Sequence, residues 1–204
     1  WPRQLPIERN KTHTAWLQEN AEGAKIIAFD HVIDSRDRIQ EAITRLRAEG
    51  ADLVIMLYGA FTGDDVSTRI AQELKMPLIL WAPREPDVHG DRLLSNALVA
   101  MTMNSASLRR LGYHPQTVYG GLESETAKKE ILICIRAYAA IKTLHGSTLG
   151  LFGYRPTAFY NSAFDEGLIR RTFGISIEET DLKVVFDRMQ QTEPEAVAQD
   201  MAHI

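Results

Sequence analysis

The chain has 204 residues, enough for one or two domains, and 45% of them are hydrophobic, 25% are charged, and the formal net charge is −4. Its basic residues are dispersed, which argues against nucleic-acid binding because such a surface needs clustered positive charge. No apolar run approaches the roughly 20 residues of a membrane-spanning helix. The single cysteine, Cys134, excludes an internal disulfide and a cysteine-based zinc site. These features predict a cytoplasmic protein that binds neither nucleic acid nor membrane.

The start of the chain predicts a domain that lacks its first strand. The chain opens at Trp1 without an initiator methionine, and the segment WPRQLP leads directly into a helical pattern. In a parallel α/β domain a central strand normally precedes such a helix. We therefore expect the chain to begin inside its first domain, and the alternative is a complete protein with an unusually short start.

Strand and helix patterns then alternate through residues 1–146, which we predict to be one α/β domain. Continuous apolar runs, typical of strands buried on both faces, predict neighbouring parallel strands at 24–30, 51–58 and 77–82. Apolar residues at helical spacing lie between these runs, and two further helices are predicted at about 93–111 and 124–145. Short links between the elements indicate a doubly wound parallel sheet of the Rossmann or flavodoxin type.

Residues 147–204 predict the beginning of a second α/β domain. The segment 147–182 contains a strand, a polar turn, a helix that ends at Gly174 and a second strand. Ser162 with Asp165, and later Thr192 with Glu195, match the spacing of helix capping boxes. Such a unit needs more strands before both sheet faces are covered, so we expect the chain to end inside this domain.

The usual catalytic signatures are missing from the sequence. It contains no P-loop, no dinucleotide-binding glycine pattern, no nucleophile elbow and no H-E-x-x-H zinc motif. The six histidines are scattered, and we interpret His13, His114, His145 and His203 as surface or cap residues. His89 is the best placed of them for a site, because it lies in a polar loop directly after a predicted strand.

Ligands of open α/β sheets bind beyond the carboxyl ends of the strands, and three predicted loops qualify, at 59–65, 82–92 and 153–161. The second loop is the richest. There Trp81 ends a strand and is followed by Arg84, Glu85, Asp87 and His89. An aromatic face beside charged hydrogen-bonding groups suits a sugar, whereas the alternative is a core tryptophan followed by a solvated loop. The loop at 153–161 likewise has two interpretations, a ligand-binding loop or a plain turn.

The order of four segments resembles the L-fucose/L-arabinose isomerase superfamily, nearest its fucose isomerase-like members. The segments are ADLVIMLYGAFTGDD, PLILWAPREPD, LRRLGYHPQTVYGG and LGLFGYRPTAFYNSAFDEGLIRRTFGISIEETDL. The resemblance runs through nearly the whole chain and implies two N-terminal α/β domains followed by a C-terminal domain that this chain lacks. It also implies a homo-oligomer that interconverts aldoses and ketoses through an enediol.

The resemblance places the chemistry outside this chain. Family members use a divalent metal, usually manganese, and the metal ligands and acid–base residues come from the later part of the protein. By the same resemblance Trp81 reaches the sugar site of a neighbouring subunit, so we expect its ring to be partly exposed. Arg9 is the nearest match to an arginine that contacts sugar, with Arg3 as the alternative.

The sequence thus predicts the N-terminal part of a metal-dependent ketol isomerase for a pentose, a deoxyhexose or a related sugar. The substrate-binding residues are Trp81, Arg84, Glu85 and Arg9, no catalytic or metal-binding residue lies in the chain, and residues 1–204 alone are expected to be inactive. Two alternatives stay open, namely a non-catalytic sugar-binding or sensing domain and a structural oligomerisation domain.

Overall fold

The structure is a computed structural model that describes residues 4–86 and 93–202. The chain divides into two compact units, one up to Ala139 and one from Ala140 onward. This division falls inside a long helix, shortly before the domain boundary predicted near residue 146. None of the helices in the described ranges is long and apolar enough to cross a membrane.

The first unit is built on a three-stranded parallel sheet with the order β1-β2-β3. In chain order its elements are α1 (Gln4–Asn20), α2 (Arg36–Ala48), β1 (Val54–Leu57), α3 (Asp65–Leu74), β2 (Leu78–Ala82), α4 (Ala97–Arg110), β3 (Gln116–Tyr119) and α5 (Glu125–Leu144). In the register of the sheet, Trp81 lies opposite Leu57 on one side and Val118 on the other. Because all three strands run in the same direction, their carboxyl ends meet at one edge.

Helices cover both faces of this sheet. Every residue of the central strand β2 is buried, and its side chains point alternately into two cores. The first-face core combines Leu78, Leu80 and Ala82 with residues of α2, α3 and α4. The second-face core combines Ile79 and Trp81 with residues of α1 and α5. The predicted doubly wound α/β fold is confirmed.

The predicted strand at 24–30 is wrong, because this segment is extended but belongs to neither sheet of the described residues. Its side chains still alternate as in a strand, with Ile26 against the second-face core and Ile27 against the first-face core. Its backbone bonds elsewhere: the carbonyl of Ala28 accepts a hydrogen bond of 2.9 Å from the side chain of Arg45. The side chain of Arg45 thus supplies the hydrogen bond that a neighbouring strand would otherwise donate to this carbonyl.

The second unit contains a parallel βαβ motif. Strands β4 (Thr148–Phe152) and β5 (Ser176–Thr180) pair directly, and a 3₁₀ turn at Tyr160–Ser162 and α6 (Glu166–Phe173) connect them. Two more helices follow, α7 (Leu182–Gln191) and α8 (Pro194–Met201). Gly174 ends α6 in the left-handed conformation with φ of +70°, as the sequence predicts.

Both predicted capping boxes in the second unit are wrong in detail. Asp165 caps α6 by itself, since its carboxylate accepts a hydrogen bond of 2.8 Å from the backbone N–H of Leu168. Ser162 lies earlier, in the 3₁₀ turn. Thr192 donates its hydroxyl to the carbonyl of Arg188 at 2.9 Å, so it completes the end of α7 rather than the start of α8. A side chain that satisfies the preceding helix is not available to cap the next one.

Candidate functional site

Helix α1 begins directly above the carboxyl edge of the first sheet. A Cβ atom added to Gly59, just beyond β1, would lie 2.6 Å from the Cα atom of Pro6, so the two backbones approach too closely for any other residue. One turn later, Arg9 donates to the carbonyl of Gly59 at 3.0 Å and to the carbonyl of Arg84 at 2.5 Å. Arg9 therefore joins the loop after β1 to the loop after β2.

Three of the four predicted substrate-binding residues meet at this edge. Arg9 contacts the backbone of Arg84, and the carboxylate of Glu85 lies close enough to stabilise the charge of Arg9. Burial lowers the pKa of the Arg9 guanidinium, while Glu85 and Glu123 act in the opposite direction. The side chain of Arg84 is exposed. Arg9, Arg84 and Glu85 therefore lie close together, and their contact with a substrate stays a prediction.

Glu85 has a structural task in this neighbourhood. Its carboxylate accepts hydrogen bonds from the hydroxyl of Ser95 at 2.6 Å, from the backbone N–H groups of Ser95 and Asn96 at 2.6 and 2.8 Å, and from that of Leu94. Burial alone would raise the pKa of Glu85, but these hydrogen bonds together lower it below its usual value. The carboxylate thus occupies the amino-terminal end of α4 and fixes the path of the chain on both sides of residues 87–92.

The expected exposure of Trp81 is wrong. The ring is 0% exposed and belongs to the second-face core. Its indole N–H donates to the carbonyl of Gly120 at 2.6 Å, and the His13 ring packs edge-on against it with 4.7 Å between the ring centres. The side chain lies on the face that α1 and α5 cover, because odd-numbered residues of β2 point there. A sugar contact of Trp81 stays a prediction, and the packing favours a structural role.

His13 is buried, contrary to its interpretation as a surface residue. It is 6% exposed, and its Nδ1 lies 2.7 Å from the carbonyl of Arg9, so Nδ1 carries the proton that is donated. Its Nε2 atom is buried and has no hydrogen-bond partner among the described residues. Burial lowers the pKa of His13, and the nearby charge of Arg9 acts in the same direction. His13 is therefore a neutral imidazole beside the carboxyl edge.

A glycine pair after β3 brings another carboxylate to the same edge. The carbonyl of Gly120 accepts the Trp81 indole, and the backbone N–H of Gly121 donates to Glu123 at 2.9 Å. Gly120 has φ of +127°, a conformation that favours glycine. Burial raises the pKa of Glu123, but the backbone hydrogen bonds and the charge of Arg84 lower it overall.

We call these side chains the carboxyl-edge cluster: Arg9, His13, Arg84, Glu85 and Glu123. Sequence reasoning missed two of them. His13 stands four residues after Arg9 on α1, a spacing that places both on one helix face, and Glu123 follows the glycine pair that ends β3. Both signals were present in the sequence.

The described residues do not form a metal centre. No group of three or more His, Cys, Asp or Glu side chains among them is arranged to hold a metal ion. The manganese that the family resemblance implies thus has no set of ligands in the described ranges. Asp87, His89 and Arg3, which the sequence singles out, lie outside the described residues.

The third predicted loop follows β4 in the second unit. There the guanidinium of Arg155 lies over two tyrosine rings, 5.8 Å from the centre of Tyr154 and 5.4 Å from that of Tyr160. Both rings are strongly exposed, at 72% and 77%. We call these three residues the arginine–tyrosine cluster.

Comparison with known proteins points to sugar isomerases. The chain is similar to proteins named sulfoquinovose isomerase. That of Priestia aryabhattai is 26% identical over 171 residues, which are 84% of this chain and 38% of the relative. Those of Alkalicoccus urumqiensis and Clostridium sp. are each 28% identical, over 71% and 74% of this chain and 32% and 34% of the relatives. The chain therefore spans well under half the length of these relatives, and it matches no protein-family model.

Proposed function

We propose that this chain is part of an aldose–ketose isomerase that acts on sulfoquinovose or a closely related sugar. The observation that carries the proposal is the similarity to sulfoquinovose isomerases over as much as 84% of the chain. The resemblance noted in the sequence supports the same reaction type. Its narrower form, a fucose isomerase-like protein, stays a prediction.

The carboxyl-edge cluster is the part of the first unit best suited to such a substrate. It lies where ligands bind in open α/β sheets, and it combines two guanidinium groups with two carboxylates and a neutral imidazole. This set can donate to and accept from the hydroxyl groups of a sugar. Trp81 packs against His13 and holds the imidazole in place from the core side. Arg84 and Glu123 are the members with exposed side chains, and Arg84 offers the donors of its guanidinium to a bound sugar.

The remaining parts of the proposal rest on the family resemblance. We propose that the acid–base residues and the ligands of a divalent metal, manganese in the resembling family, come from outside this chain. When bound, such a metal polarises the oxygens of an open-chain sugar and favours the enediol. We further propose a homo-oligomeric assembly in the cytoplasm, and light scattering of the purified protein tests the assembly.

The experiment uses the protein encoded by the gene that carries this chain. We expect it to convert sulfoquinovose to the corresponding ketose, as NMR of the reaction mixture would show, and to lose activity with a chelator and regain it with manganese. Replacement of Arg84 by glutamine is expected to raise KM. Arg36 of α2 is also exposed, and its replacement by glutamine is the matched control that leaves KM unchanged.

Two results would count against the proposal. Binding of sulfoquinovose without turnover, with manganese present, would favour the alternative of a sugar-binding or sensing protein. Turnover of an unsulfonated hexose with clearly higher kcat/KM would correct the substrate and leave the reaction type standing.

A further inference from the structure

The loop between β4 and α6 holds an unusual set of side chains. Besides Tyr154 and Tyr160, it exposes Phe159 and Phe164, at 55% and 43%. The loop starts at the carboxyl end of β4, the position where open α/β sheets bind their ligands.

The cation of this loop is held by ring faces. The guanidinium of Arg155 lies within 6 Å of both tyrosine ring centres, at 5.8 and 5.4 Å, which is the range of cation–π contacts. Its Nε atom is buried and has no hydrogen-bond partner in the described part of the chain. The rings therefore hold the guanidinium in place, while its Nε–H meets no acceptor among the described residues.

The backbone of the loop is strained next to these rings. Ala158 has φ of +73°, in the left-handed region that is unfavourable for a residue with a Cβ atom. Gly153 begins the loop with φ of +78°, and a Cβ atom there would lie only 3.0 Å from the side chain of Leu182. Strained backbone of this kind clusters at ligand-binding and catalytic sites, and here it lies beside the arginine that the two rings hold.

The chemistry of the cluster selects the class of ligand. A guanidinium offers parallel N–H donors that match two oxygens of a tetrahedral oxyanion. Tyrosine rings offer faces for the C–H groups of a pyranose and hydroxyls for its oxygens. An uncharged sugar would leave the guanidinium without a charged partner, and a bare anion would contact neither the exposed ring surface nor the hydroxyls of the two tyrosines.

We propose that the arginine–tyrosine cluster binds an anionic hexose, with the terminal sulfonate or phosphate on Arg155 and the sugar ring against Tyr154 and Tyr160. The identity of the hexose rests on the proposed function, whereas the requirement for an anionic group follows from the loop itself. Arg155 then determines specificity for a charged substrate over a neutral sugar.

Titration calorimetry with sulfoquinovose, glucose 6-phosphate and glucose tests the inference on the protein encoded by the gene. We expect at least one anionic hexose to bind about 10- to 100-fold more tightly than glucose, the range that a hydrogen-bonded charge pair gives. Replacement of Arg155 by glutamine should remove this difference and leave glucose binding unchanged. Whichever anion binds more tightly identifies sulfonate or phosphate as the group recognised.

Two control variants keep the result interpretable. Arg171 of α6 is exposed, and its replacement by glutamine removes the same charge from the same unit and should leave all affinities unchanged. Replacement of Arg155 by lysine keeps the charge but loses the planar fork, so it should bind the anionic hexose with intermediate affinity. Far-UV circular dichroism confirms that each variant is folded.

The inference is overturned if glucose binds as tightly as both anionic hexoses, if neither anionic hexose binds, or if the glutamine variant at Arg155 keeps its affinity within twofold. Its failure is separable from failure of the proposed function. A protein that isomerises sulfoquinovose with a KM independent of Arg155 refutes the inference alone. A protein that binds anionic hexoses through Arg155 but isomerises no sugar refutes the proposed function alone.

Discussion

Replacement of Trp81 by alanine separates a core residue from a sugar-stacking residue. The indole is fully buried, donates a hydrogen bond of 2.6 Å to the carbonyl of Gly120, and packs against His13 and Trp16. The alanine variant leaves a cavity in the second-face core and removes the donor from a buried carbonyl. We therefore expect a large loss of stability in the first unit.

The size of the loss follows from these contacts. Truncation of a buried tryptophan to alanine costs about 3–5 kcal/mol, and the unsatisfied carbonyl places this case in the upper part of the range, at about 4–5 kcal/mol. For a unit of about 140 residues with an unfolding entropy of about 2.1 cal/mol/K per residue, the melting temperature falls by about 14–17 °C. Phenylalanine keeps most of the ring but not the N–H, so it should cost about 1–3 kcal/mol.

Thermal and urea denaturation followed by circular dichroism measure these losses, and steady-state kinetics measure KM in parallel. Trp16 is only half-buried on the same core, and its replacement by alanine is the control, with a smaller loss expected. A core role predicts a large drop in melting temperature with at most a small rise in KM, which would come from the loss of the Trp81 ring that holds His13 in place. A loss of less than about 1 kcal/mol in the free energy of unfolding, together with a clearly raised KM, would refute the packing argument and favour a contact between Trp81 and the sugar.

Other predictions follow from single contacts. The glutamine variant of Glu85 should destabilise the first unit by about 1–3 kcal/mol at pH 7, as measured by urea denaturation. Because the pKa of Glu85 is lowered in the folded protein, the difference in stability between the two proteins should shrink as the pH falls through that lowered pKa. An equal loss of stability at all pH values would contradict this role of the carboxylate. His13 has a lowered pKa in the fold, so the unfolded chain takes up its proton first, and stability should decrease as the pH falls below about 6.5. The glutamine variant of His13 should show a flatter pH dependence, and an unchanged slope would argue against a buried neutral imidazole. Replacement of Gly59 by alanine should destabilise the unit because the new Cβ meets Pro6 at 2.6 Å, whereas alanine at Gly63 finds its nearest neighbour at 3.5 Å and serves as the control; equal melting temperatures would contradict the close approach.

Strands β1 and β2 were predictable from sequence because they are continuous apolar runs. Strand β2 is buried at every position, and only a strand covered on both faces tolerates such a run. The segment at 24–30 is also mostly apolar, but it belongs to neither of the two sheets that the described residues form. An apolar pattern reports which side chains are buried, not which backbone groups are paired, so the pattern could not distinguish the two cases.

The candidate site was predictable as a neighbourhood but not in its roles. Arg9, Arg84 and Glu85 meet because carboxyl ends of parallel strands share one edge, which the order of elements implies. Trp81 lies near the end of β2, and whether its ring points to solvent or to the core depends on which face of the sheet its position in the strand gives it. The use of Glu85 as a helix cap depends on the approach of α4, which local sequence does not specify.

The most direct test of the central claim is isomerisation of sulfoquinovose by the protein encoded by the gene that carries this chain. Purified protein is incubated with sulfoquinovose and manganese, and NMR follows the appearance of the corresponding ketose. The account predicts equilibration of aldose and ketose, with loss of the reaction on chelation. Absence of ketose at high protein concentration, with folded protein and manganese present, would contradict the assignment as a sugar isomerase.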